Sequence, residues 1–209
     1  MFKILCTGNP EHEGIAKSVN TLFNNVMFVS RSSGYDLNTQ AGLSKLANIL
    51  PEYNVLINNS HVSHGIKKTI LELARNKWEQ GKIINIGSYC EMKKYSIGAF
   101  KSSQESIELR ELGFELTTDK FQVTHIMVGP FRAESKPMSL PNMDAVNIAN
   151  TIKYVLSADY QIPITSVMQM NDYCKLGIKT MVNDYYSKDI NLNNINELEM
   201  QLLKRWGFA

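Results

Sequence analysis

The segment YSIGAFK, residues 95–101, sets a tyrosine and a lysine just after a strand-like run, KIINIGS, that ends in Ser88. Together these residue types can run a proton transfer. A serine hydroxyl orients a carbonyl oxygen, a phenol donates the proton, and a nearby ammonium draws the phenol's pKa down from about 10. The interval is awkward. Tyr95 and Lys101 are six apart, which on a continuous helix turns them about 120° from one another. Tyr95 reaches the lysine's face only if residues 95–96 precede the helix or if the chain bends, for which Gly98 is placed. Tyr89 and Lys93 have the better interval, but Tyr89 abuts Ser88 and leaves no loop between strand and helix. Ser88 also has a plainer reading, because Ser and Gly commonly end strands.

Other reactive side chains narrow the field. His61 and His64 lie one helical turn apart, but no third ligand is identifiable. They read as pocket or surface histidines, and no metal is expected. Cys6, Cys90 and Cys174 are far apart with no metal or redox spacing, which fits free thiols in a reducing cytosol. The net charge of +2 gives no reason to expect nucleic acid or an anionic membrane as a partner. The lysine pairs in IKKTI and MKKY read as solvated faces. No apolar run approaches the ~18 residues of a membrane span, and the apolar start MFKILCTG is too short for a signal peptide. The expectation is a soluble cytoplasmic protein acting on a small molecule.

These residues need a scaffold, and the chain supplies an alternating one. Strands are predicted at 2–7, 26–30, 54–58, 82–87, 122–128 and 164–168, most of them continuous apolar runs suited to a sheet buried on both faces. A further very short strand is predicted at 35–37. Helices are predicted at about 14–25, 40–50, 63–80, 97–113 and 142–157. This alternation predicts a single α/β domain over 1–209, a doubly wound, mostly parallel sheet of Rossmann type. Residues 171–209 read as a helical tail, packed on the 1–170 core or on a neighbouring subunit.

The first strand runs into CTGNPEHEGIA, a glycine-bearing turn before a helix. Such a turn offers backbone N–H groups and a positive helix end to a diphosphate, and a Cβ there would block close approach. The second strand ends FVSRSSGYDL, with Arg31 flanked by Ser30 and Ser32. An acidic residue there would favour NAD, and an arginine favours the 2′-phosphate of NADP. Arg31 reads equally as an ordinary exposed arginine.

At these positions the chain resembles the short-chain dehydrogenase/reductase family. Thr7-Gly8 and Gly14-Ile15-Ala16 resemble its first turn, with a longer loop and Ala16 in place of a glycine, both similar to the enoyl-acyl-carrier-protein reductase branch. Glu11 and Glu13 are unhelpful to a phosphate there unless they point outward. Asp36-Leu37 resembles the pair that lines the adenine, with the usual second helix missing. Asn58-Asn59-Ser60 resembles the family's Asn-Asn-Ala segment on the ribose side. Ser88 stands at the catalytic serine's position, and Lys101 at that of the ribose-binding lysine. Ile97, four before it, stands where the usual acid belongs; YSIGAFK resembles the enoyl-reductase pattern with one residue lost. Pro130-Phe131 replaces a Pro-Gly that contacts the nicotinamide carboxamide, and Phe131 would crowd that contact.

The resemblance implies an NAD(P)-dependent oxidoreductase, preferring NADP, with Ser88, Tyr95 and Lys101 as its catalytic group, and a homodimer or homotetramer. No asparagine matches the family's proton-relay residue. The alternative is an inactive NADP-binding sensor or partner-binding module, and a third possibility is the same fold with no cofactor.

Overall fold

In the computed structural model, residues 2–60, 62–92, 100–118, 120–129, 131 and 143–168 are described. The predicted helical tail and the segment containing Tyr95 lie outside them. Six parallel strands form one sheet: β1 (Ile4–Thr7), β2 (Val26–Val29), β3 (Val55–Asn58), β4 (Gly81–Ser88), β5 (Phe121–Val128) and β6 (Ile164–Val167). Their order is β2-β1-β3-β4-β5-β6. Among the described residues five α-helices flank the sheet: α1 (Ile15–Leu22), α2 (Gln40–Ile49), α3 (Ile66–Lys77), α4 (Phe100–Leu116) and α5 (Ala145–Ser157).

The strands alternate between two cores because successive side chains point to opposite faces. Ile4, Cys6, Ile57, Ile84 and Ile126 pack with Ile15 and Val19 of α1 and Ile148 and Ile152 of α5. Leu5, Leu56, Ile83 and Val123 pack on the other face, with Leu46 of α2, Ile70 and Leu71 of α3 and Leu109 of α4. Helices on both faces make the sheet doubly wound. The side chains of Thr39 and Asp144 cap α2 and α5, accepting the N–H groups of Gly42 and Val146.

The chain leaves β1 for β2 on one side, then crosses to β3 on the other. The order reverses there, opening a crevice beyond the carboxyl ends of β1 and β3. The predicted strand at 35–37 does not form. The Tyr35 N–H donates to the Ser30 carbonyl at 2.9 Å, and the Asp36 carbonyl accepts both the N–H and the hydroxyl of Thr39, at 3.0 and 2.8 Å. The Tyr35 N–H and the Asp36 carbonyl are thus engaged in a turn and a helix cap rather than in a ladder. A single 3-10 turn, Arg31–Ser33, stands where a second helix would be.

Among the described residues, no helix is long and apolar enough to cross a membrane.

Candidate functional site

Thr7 closes β1 and organises the crevice. Its hydroxyl oxygen accepts the backbone N–H groups of Asn59 and Ser60, at 2.9 and 2.8 Å. Asn59 returns a bond from its side-chain amide to the Thr7 carbonyl at 3.2 Å. Gly8 follows with φ at 141°, and a Cβ there would lie 2.9 Å from the Asn59 amide nitrogen. Only glycine fits that conformation and that gap.

A cleft of about 540 Å³ opens beside this junction. Gly8, Ser30, Arg31, Asp36, Leu37, Asn59 and Ser60 line it, all expected from the sequence. Asn9, His12, Tyr35 and Val62 join them without having been singled out there. The signal for His12 was its place in the extended loop after Gly8. Arg31 is exposed, with Nε 3.6 Å from an Asp36 carboxylate oxygen. Glu13 pairs with Lys17 and is exposed, as is Glu11.

Five expected contacts, Gly14, Ile15, Ala16, Asn58 and Phe131, stand back from the cleft. Ile15 and Ala16 are buried in the first turn of α1. Asn58 is fully buried, and its amide nitrogen donates to the Lys67 carbonyl at 2.8 Å and to Asn85 Oδ1 at 3.1 Å. Asn58 therefore ties the sheet to α3 with its side chain. Gly14 caps α1, and a Cβ on it would lie 3.8 Å from the Phe131 ring. Phe131 thus stands at the entrance to α1, and Pro130 lies outside the described residues.

At the other end of the crevice, Ser88 closes β4. Its backbone N–H donates to Ser106 Oγ at 2.8 Å. Lys101 takes its place in the first turn of α4, although its side chain, like all of Tyr95, lies outside the described atoms. Tyr89, next to Ser88, is buried. Behind Ser88 sits a buried polar cluster that the sequence did not reveal. Glu91 accepts bonds from Arg110 at 2.9 Å and Ser106 at 3.1 Å, and its carboxylate lies 2.8 Å from His125 Nε2.

Lys67 corrects the reading of IKKTI as a solvated face. The Lys68 side chain is half-exposed near Glu108, but Lys67 is partly buried and its ammonium turns inward, donating to the Ile86 carbonyl. Asn85 pairs with Asn58, the last residue of β3, so Ile86 lies beyond that strand's end. Burial pushes the Lys67 pKa down to about 8, partly offset by Glu105. The signal was its position four before buried Leu71. His64 is exposed, 3.7 Å from Glu105, as a surface histidine. No cluster of three metal-ligating side chains occurs among the described residues.

No family model matches the chain, and no curated protein matches it either. Solved structures do. A short-chain dehydrogenase from Burkholderia cenocepacia, in complex with NADP, superposes with a TM-score of 0.66 at 14% identity, over 87% of this chain and 93% of that one. The chain has the short-chain dehydrogenase/reductase fold. A short-chain dehydrogenase from Streptomyces avermitilis gives 0.63 at 13% identity, over 95% and 97% of the two chains. A 3-alpha-hydroxysteroid dehydrogenase from Pseudomonas sp., complexed with NADH, gives 0.61 at 11% identity, over 78% and 94%. Within the short-chain dehydrogenase fold, the Thr7–Ser60 junction and the cleft lie at the topological switch point, where doubly wound sheets bind ligands.

Proposed function

We propose that this protein is an NADP-dependent oxidoreductase that reduces a carbonyl or an activated double bond of a small substrate. The observation that supports it best is the cleft at the switch point, which joins the Cβ-free approach at Gly8 to a guanidinium at its outer wall. Gly8, Asn59 and Ser60 would hold the dinucleotide along the crevice. Leu37 and Asp36 would flank the adenine, and Arg31 would meet the 2′-phosphate, since its planar donors match phosphate oxygens. When bound, NADPH supplies a hydride. Ser88 would orient the acceptor oxygen by a hydrogen bond, Tyr95 would deliver the proton to it, and Lys101 would hold the ribose and ease proton release from the phenol.

A second reading, a nucleotide-binding module without turnover, draws on Ile97 standing four before Lys101. Titration of NADPH and NADH by nicotinamide fluorescence, followed by a panel of carbonyls and enoyl thioesters, separates the two. Binding with turnover that Tyr95→Phe abolishes, at unchanged NADPH affinity, supports the enzyme. Binding without turnover supports the module, and no binding of either nucleotide overturns both.

A further inference from the structure

The inner face of α4 has two characters. Leu109, Leu116 and partly buried Leu112 pack its second half into the apolar core beneath the sheet. Before them, nearer the chemistry end, the buried residues among those described are Glu105 and Ser106, and Arg110 reaches back to buried Glu91. Hydrogen bonds hold this half of the helix in place.

Glu105 accepts the Gly65 N–H at 3.0 Å, whereas Ser106 and Arg110 converge on Glu91, in the short turn Tyr89–Met92 that leaves β4. Its side chain is 1% exposed, as is that of His125. A buried carboxylate costs several kcal/mol unless charge and hydrogen bonds compensate it. Arg110 and Ser106 come from α4, and His125 from β5. Ser106 has one proton to give. Donating it to Glu91 turns its lone pairs toward the Ser88 N–H, the bond observed at 2.8 Å. With that proton committed, His125 Nε2 carries the hydrogen toward Glu91, and its buried Nδ1 has no partner among the described residues. Both His125 contacts use Nε2, the longer one to Ser106 at 3.4 Å, so the trio is not a nucleophile triad, which needs a histidine bridging through both nitrogens. Gly87 makes room for it: a Cβ there would lie 2.2 Å from His125 Nε2 and 2.6 Å from Ser106 Oγ.

We propose that Glu91, acting through Ser106, is a positioning residue that sets the end of β4, carrying Ser88, against the first turn of α4, carrying Lys101. Apolar packing would stabilise such a joint equally well; a buried ionic network instead specifies one arrangement of it. The proposal rests on the oxidoreductase reading for its catalytic consequence, but its geometry can be tested alone.

Ser106→Ala removes the strap and leaves the Glu91–Arg110 pair. The expected result is a kcat lowered roughly tenfold to hundredfold, as a misplacement of about 1 Å would give, with NADPH affinity within about twofold of the parent. Ser106→Thr, which keeps the hydroxyl, should restore most of the rate. A folded Ser106→Ala protein with kcat within about twofold of the parent overturns the proposal. If the parent binds NADPH without turnover, the enzyme reading fails and amide hydrogen exchange decides the positioning. Loss of protection at Ser88 in Ser106→Ala, with Ile83 and Ile84 still protected, supports it, and unchanged protection at Ser88 overturns it.

Discussion

The Thr7 hydroxyl receives the backbone N–H of Ser60 at 2.8 Å, across fifty-three positions of sequence, and so closes β1 onto the chain leaving β3. Asn59 adds a second N–H to the same oxygen. Thr7→Val keeps the shape and deletes the acceptor, leaving two donors without it. Each unsatisfied buried group costs about 1–3 kcal/mol, so a loss of about 2–6 kcal/mol is expected in urea unfolding, with weaker NADPH binding. Thr7→Ser should retain both. Parental stability in Thr7→Val would show that the hydroxyl is not the joint.

Arg31 carries the expected preference for NADPH. Its exposed pairing with Asp36 contributes little to stability, so replacing it should spare the fold. A hydrogen bond to a charged group is worth about 1.5–3 kcal/mol. Arg31→Ala should weaken NADPH roughly tenfold to hundredfold and leave NADH nearly unchanged. Equal losses for the two nucleotides would remove the phosphate role.

Lys67 should make stability depend on alkaline pH. The unfolded side chain titrates near 10.5 and the buried one near 8. Between those values the unfolded chain holds a proton that the native chain has released. Stability therefore rises as pH climbs from about 8 to about 10.5, and below 8 the lysine contributes no slope. The gain is on the order of 3 kcal/mol. Comparing unfolding midpoints near pH about 7.5 and about 9.5 in the parent and Lys67→Met isolates the term. An equal pH response in both proteins would show that Lys67 does not supply it.

Much of the scaffold was legible because strands buried on both faces leave continuous apolar runs, and six of the seven expected strands formed with small shifts at their ends. Thr7, Gly8 and Arg31 were legible because a turn needing glycine and a charge at a strand end are local features. Glu91, Ser106 and His125 were not. Each is an ordinary polar residue in its own segment, and only the packing of α4 on β4 and β5 makes them a cluster. Lys67 was misread for a related reason: lysines are rarely buried, and its acceptor exists only because β3 stops one residue too early to cover Ile86. The strand expected at 35–37 failed where two strong local devices, a turn and a cap, competed for the same backbone groups.

The contraction after β2 also bears on self-association. β2 is an edge of the described sheet, and an open edge invites a strand from another chain. The Val29 carbonyl faces inward, taking the Gly8 N–H, so the Phe28 carbonyl, one residue back, faces out. The Ser33 hydroxyl lies 3.0 Å from it. The strand is only four residues long and is followed, one residue after its end, by a charged arginine. The turn that walls the cleft thus also blunts the edge against strand-by-strand aggregation.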